Sequence, residues 1–364
     1  MCLLLIKKTV RKLYFISSLL VLSALSTGCI STVKISSVVE KNTDGDYLLK
    51  WEVSPDQEGE IAIYSSPSDS SLNDFASLQS YKITDQVALI NPSESGFREY
   101  FLLKTKGANS GIVANRIIEM DEIKNFRDVG GYFTSDNKQM RWGRIYRSGN
   151  LSTATLADQD KIRKLGIKTI IDFRSEKTAK KYPILLHPGI RRIAVPISLM
   201  DAEKLDEQLR DEDFNRSDAI RFVQESYVGI VENYKPAFSE MFNILIDEGN
   251  YPILLTGSLG KDRVGLASYF ILYAIGVPEN VIQDDYLLSN RVIDISATVE
   301  NAQSLPEYMQ EAITAMLSVN RAYINYVIDH IKQQYGSVDN YLEKELNVGS
   351  GKKILLKKYL LYPY

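Results

Sequence analysis

The chain changes rhythm near position 120. Before it, apolar and polar residues alternate in short runs: Tyr47, Leu49, Trp51 and Val53 of "YLLKWEV" share one face, and "GEIAIYSS", "REYFLLKTK" and "GIVANRIIEM" continue the series. A period of two is the signature of strands with one buried face. The polar clusters "NTDGD", "SPDQEG", "NPSESG" and "KGANSG" separate the runs and supply turn residues. After position 120 the period lengthens. "TLADQDKIRKLG", "YKPAFSEMFNILID" and "LASYFILYAIG" place apolar residues at helical spacing, while "IKTIIDFRS" and "YPILL" read as short buried strands between them.

Two folding units follow. Residues 29–120 predict a small antiparallel β-sandwich, similar in pattern to fibronectin type III or immunoglobulin-like modules, with no chemistry-bearing cluster of its own. Residues 121–364 predict an α/β domain with a central sheet flanked by helices. The helices "AYINYVIDHIKQQYG" and "VDNYLEKEL" near the C-terminus read as packing elements.

Residues 1–28 stand apart from both. Lys7, Lys8, Arg11 and Lys12 precede the apolar run "LYFISSLLVLSAL", which is too short for a stable span and has the order of an export signal. "STGC" then sets small residues before Cys29, which resembles a bacterial lipoprotein signal; the alternative is a plain secretory peptide. As a lipoprotein, the mature chain begins at a lipid-bearing Cys29 and sits on a membrane outside the cytoplasm.

Composition narrows the chemistry. Lysine and arginine total 43 against 46 acidic residues, a net charge of −3 that argues against general nucleic-acid binding and makes any anion site local. The two cysteines, Cys2 and Cys29, lie before the folded body, which therefore has no cysteine nucleophile and no thiolate metal site. His187 and His330 lack metal-ligand spacing and read as ordinary polar residues. No metal or cofactor is expected.

The stretch "LLTGSLGKDRVG", residues 254–265, lies between the strand "YPILL" and the helix "LASYFILYAIG". A glycine-containing loop entering a helix gathers backbone N–H groups at the positive end of the helix dipole, and Lys261 and Arg263 add cationic donors. This is an anion cradle formed by Gly257, Ser258, Leu259, Gly260, Lys261, Asp262 and Arg263. It is not a nucleotide P-loop, because Leu255 stands at the first glycine position and Asp262 where Ser or Thr is required.

With "NFRDVGGY", "RWGRIYRSGNL", "IDFRS" and "DDYLLSNR" in order around it, the region from about Lys124 to the C-terminus resembles the bacterial tyrosine and lipid phosphatases of the protein-tyrosine phosphatase superfamily, whose signature loop reads HCxxGKDRTG. The resemblance implies a tyrosine-phosphatase fold. It also sets Thr256 at the histidine, Gly257 at the nucleophilic cysteine and Val264 at the hydroxyl residue, whereas Gly260, Lys261, Asp262, Arg263 and Gly265 match. In such enzymes the thiolate attacks phosphorus and the phosphocysteine is then hydrolysed; Arg263 would hold the phosphoryl oxygens and Asp262 is the candidate acid. Glycine has no atom that attacks. Ser258, one residue on, has no histidine beside it to take its proton.

Other positions keep two readings each. Arg127 and Asp128 line the pocket or close a turn. Arg147 reaches the phosphate or braces the loop, and Asp172 and Arg174 face the ligand or pair with each other. "DAEKLDEQLRDED", residues 201–213, is an acidic lid or a solvated helix. Three functions compete: an exported pseudophosphatase lipoprotein that holds a phosphorylated protein, peptide or lipid; an active phosphomonoester phosphatase with another nucleophile or water; and a structural lipoprotein with a vestigial pocket.

Overall fold

The apolar alternation of the first unit folds as two packed antiparallel sheets. The computed structural model describes residues 33–69, 74–92, 97–185, 187–198, 214–294 and 304–363. The leader, Cys29 and the acidic segment 201–213 lie outside them. One sheet has the order β1 (Lys34–Lys41), β2 (Tyr47–Ser54), β5 (Val87–Ile90); the other runs β4 (Ala76–Lys82), β3 (Glu60–Ser66), β6 (Tyr100–Lys104), β7 (Asn109–Ala114). Tyr47, Leu49, Trp51 and Val53 face Ile61, Ile63, Phe101 and Leu103 in one core, as their period of two requires. β1, β4 and β5 are additional to the strands read from the sequence. β4 is exposed at nearly every position, so it carries no alternation to read.

The second unit is built on a five-stranded sheet ordered β11 (Arg191–Ala194), β10 (Thr169–Asp172), β12 (Ile253–Thr256), β9 (Ile145–Ser148), β8 (Arg127–Asp128). The first four strands are parallel, and only β8 runs antiparallel, against β9. β9, β10 and β12 are buried at every position, the mark of parallel strands covered on both faces. Helix Leu156–Lys164 starts on a capping box between Thr155 and Asp158, and helix Arg263–Ile275 ends at Gly276 with φ of 97°. No described helix is long and apolar enough to cross a membrane.

The two units share a hydrophobic seam of Phe75, Tyr100, Leu102 and Ile112 with Trp142 and Tyr362. Trp142 Nε1 donates to the Ile112 carbonyl at 2.8 Å, and Gln139 Nε2 donates to the same carbonyl at 2.6 Å. Gly131, at φ of 85°, lets the indole close: a Cβ there would stand 2.1 Å from the Trp142 ring. The β-module is therefore docked on the α/β domain rather than strung beside it.

Candidate functional site

β12 lies inside the sheet, and its carboxyl end feeds the loop Gly257–Asp262 and then helix Arg263–Ile275. Ligands of open α/β sheets collect at this edge. Three successive carbonyls of the loop are held from outside. The Asn150 N–H donates to Ser258 O at 2.9 Å, Asn125 Nδ2 to Leu259 O at 2.9 Å, and Arg147 Nη2 to Gly260 O at 2.7 Å. The N–H groups of Ser258 through Arg263 find no acceptor among the described residues. With carbonyls turned out and a left-handed residue in the middle, Gly260 at φ of 68°, the loop forms a nest of donors at a helix N-terminus.

Gly260 has no room for a side chain. A Cβ would lie 2.3 Å from the Ser148 carbonyl oxygen and 2.7 Å from the Gly149 nitrogen. Gly260→Ala is expected to displace the loop and lower the melting temperature in scanning calorimetry, because clash adds to the cost of a left-handed alanine.

Arg263 crosses the cup. Its Nη1 donates to the carbonyls of Ile197, at 2.9 Å, and Phe173, and its Nη2 donates to Ser258 Oγ at 2.9 Å. It is 6% exposed, and burial pulls its pKa below the usual arginine value despite the opposing charges of Asp262 and Asp172. A bound anion would relieve that desolvated charge.

Lys261 is less available than its sequence position implies. Its side chain is 3% exposed, and the ammonium donates to Asp262 Oδ1 at 2.6 Å. The same oxygen accepts from Tyr227 Oη at 2.7 Å, and Tyr227 Oη lies 2.7 Å from Tyr286 Oη. Asp262, the candidate acid, is thus the centre of a network of four side chains.

Gly257 is buried, and its φ lies outside the left-handed region. A Cβ there meets only the Val264 Cγ2 methyl, at 3.1 Å. Thr256 Oγ1, at the family's histidine position, donates to the Gly149 carbonyl at 2.6 Å.

Arg127 and Arg147 stand opposite one another in the β8–β9 pair and meet Asp285. Arg147 Nη1 donates to Asp285 Oδ2 at 2.8 Å; Arg127 Nε lies 3.6 Å from Oδ1, its Nη2 donates to the Asp285 carbonyl, and its Nη1 bonds to Asn125. Tyr132 Oη donates to Asp285 Oδ1 at 3.0 Å. Burial lowers Arg127, and the neighbouring Arg147 lowers it further, to about 10. Burial alone would raise the Asp285 carboxyl, but the guanidinium groups of Arg127, Arg147 and Arg116 outweigh it and hold the group below the usual aspartate range. These arginines brace the loop from behind.

The pocket reading of Asp128 needs correction. Adjacent strand residues point to opposite faces, so Asp128 turns away from Arg127 and its carboxylate is taken by Arg98 Nη1 at 2.6 Å and by the N–H groups of Gly130 and Gly143, both at 2.7 Å. Asp172 and Arg174 form a fully buried pair at 2.8 Å, joined by Arg192. Arg174 Nη1 also donates to Asn150 Oδ1, which steadies the residue that holds Ser258. Asn125, Asn150 and Asp285 are the site residues that sequence reasoning left without a role. All three sit inside motifs it quoted, but the Asn125 amide, the Asn150 main-chain N–H and the Asp285 carboxylate meet partners more than a hundred positions away, and such pairings leave no local pattern.

The sequence profile of a family described as the tyrosine phosphatase family matches residues 118–362. A Cupriavidus necator protein whose name makes it a candidate tyrosine-protein phosphatase is 30% identical over 244 residues, 66% of this chain and 88% of its own length. The triple specificity protein phosphatase PtpB of Mycobacterium tuberculosis is 27% identical over 259 residues, 62% of this chain and 92% of its own. Among solved structures, the Siw14 catalytic core aligns with 62% of this chain and 98% of that chain at 16% identity, with a TM-score of 0.29.

Proposed function

This chain belongs to the tyrosine phosphatase family, and from that premise we propose that it captures a phosphorylated ligand in the loop Gly257–Arg263 without forming a covalent phosphoenzyme. One observation carries the reading. The loop's donors are preformed, with Ser258, Leu259 and Gly260 tied by their carbonyls from outside, while position 257 offers no side chain to attack. Removal of a thiolate also removes an anion from beneath the bound phosphate, which favours binding while it abolishes the covalent route. The ligand class is a phosphorylated protein, peptide or lipid.

Ser258 is the rival nucleophile. Its exposed Oγ has one hydrogen-bond partner among the described residues, the Arg263 guanidinium, and a cation takes no proton from it. The leader and Cys29 support, in our reading, a lipoprotein on a bacterial membrane outside the cytoplasm, on its periplasmic or cell-surface side. The three-plus-four arrangement of the β-module supports its likeness to fibronectin type III and immunoglobulin-like modules.

Calorimetric titration tests the proposal with inorganic phosphate and with phosphotyrosine. Binding without turnover of a chromogenic aryl phosphate is the expected result. Arg263→Ala is expected to weaken binding roughly 10- to 100-fold, since charge-assisted hydrogen bonds contribute about 1.5–3 kcal/mol. Absence of binding by the unaltered protein, or turnover that Ser258→Ala abolishes, would overturn it.

A further inference from the structure

The β8–β9 pair has two faces with two different sets of contacts. On one, Arg127 and Arg147 lie across from each other and reach Asp285, and Arg147 holds the Gly260 carbonyl. On the other, Asp128 lies across from Tyr146, and both meet Arg98, which belongs to the β-module. Arg98 is nearly buried, donates to Asp128 at 2.6 Å, and anchors its other end on the Asn115 carbonyl at 3.1 Å.

A second route from the module side leads to the Asp285 carboxylate. Arg116, just past the end of β7, donates to the carbonyls of Asp128, at 2.9 Å, and Gly130, at 2.7 Å. Its guanidinium lies 3.9 Å from the centre of the Tyr132 ring, and Tyr132 Oη donates to Asp285. Both arginines of the module side thus end, through one intermediate residue or strand, on Asp285.

We propose that Arg98, supported by Arg116, is a positioning residue for the phosphate loop: the docked β-module fixes β8 against β9, and through Arg127, Arg147 and Asp285 it keeps the Gly260 carbonyl turned out and the loop N–H groups turned in. β8 has only two residues; its backbone bonds to β9 on one side and to residues 116–118 on the other, and the side-chain clamps add to this short ladder. The module is then a structural part of the anion site and not a spacer. Only the affinity arm of the test below rests on the phosphate-binding reading.

The test uses the full folded chain and two readouts, amide hydrogen exchange at the loop's anchor, the Asn150 N–H that donates to the Ser258 carbonyl, and the affinity for inorganic phosphate. Arg98→Met is expected to raise exchange at the anchor and weaken phosphate binding, each by about tenfold, within the usual range of coupling between sites. Arg98→Lys, which keeps a cation beside Asp128, should recover part of both. Val53→Ala loosens the sandwich core away from the seam and should lower the melting temperature with no change at the anchor. If Arg98→Met unfolds the chain, Asp128→Asn weakens the same clamp more gently and carries the same expectations. The proposal falls if Arg98→Met leaves anchor exchange unchanged, or if Val53→Ala alters it as much at equal loss of melting temperature. Anchor exchange that responds in a chain that binds no phosphate would sustain the positioning role and sink the ligand reading alone.

Discussion

Gly257→Cys combined with Val264→Thr is expected to convert the protein into a working phosphatase, with turnover of an aryl phosphate at least about 10³-fold above the unaltered chain. Loss of a covalent nucleophile generally costs on the order of 10⁴- to 10⁶-fold in rate, and most of that loss is recoverable if the rest of the cradle is intact. The backbone at position 257 permits the change, since its φ lies outside the left-handed region and a Cβ meets no main-chain atom. The one obstacle is the Val264 Cγ2 methyl at 3.1 Å. A hydroxyl there is smaller than a methyl and donates to a thiolate, so the double variant should exceed Gly257→Cys alone. Loop N–H groups and the helix N-terminus would lower the thiol pKa, which makes the attacking species available at neutral pH. A double variant that binds phosphate as the original does and still fails to turn over would show that the site has lost more than its nucleophile, with the Lys261–Asp262–Tyr227 network the first place to look.

Asp285→Ala is expected to be the most destabilising single change at the site. The side chain is 1% exposed and faces two fully buried guanidinium groups, with a tyrosine hydroxyl on the same carboxylate. Breaking one side of a buried charge cluster costs about 3–5 kcal/mol, which for a unit of this size corresponds to a fall of roughly 6–20 °C in melting temperature. Scanning calorimetry or circular dichroism reads it directly. Asp285→Asn keeps the shape and one acceptor and should cost less. Its pH dependence has a definite sign. The folded carboxyl titrates below the ordinary aspartate range, so its contribution is complete above the unfolded value and is lost as pH falls through the lower folded one. The stability difference between the original chain and Asp285→Asn should therefore shrink in acid. A difference that stays constant or grows as pH falls would contradict the charge-cluster account.

The parts of the fold that announce themselves in the sequence have short-range causes. Alternation in "YLLKWEV" gives β2 because one face of a sandwich strand is dry, and the continuous apolar run "YPILL" gives β12 because a parallel strand is covered twice. β4 escaped because its residues are exposed on both faces, and β8 because two residues carry no period. The docking of the β-module escaped as well. Trp142, Gln139 and Ile112 have ordinary core or turn identities, and only their meeting across the seam gives them a joint role.

Arg127 and Asp128 make the same point at the scale of the site. The sequence places them side by side in "NFRDVGGY", and a strand then separates them, Arg127 to the cluster behind the loop and Asp128 to Arg98. Lys261 is a second instance. A lysine before Asp-Arg reads as a phosphate donor, but in the fold its ammonium is buried against Asp262, so Arg263 and the loop N–H groups are left as the candidate anion ligands.

By itself the sequence determined that two kinds of packing divide the chain near position 120, that a glycine-containing loop joins β12 to helix Arg263–Ile275, and that the loop lacks a cysteine. Each of these is a matter of residue identity or of a period a few residues long, and such signals survive in one dimension. Only the tertiary structure decided that the loop carbonyls are tied outward, that Asp285 collects Arg127, Arg147 and Tyr132, and that the β-module clamps the reverse face of the same strand pair. Asn125 reaches Leu259 across 134 positions and Arg147 reaches Asp285 across 138. Contacts at that separation are set by how sheets and helices stack, and no local pattern records them.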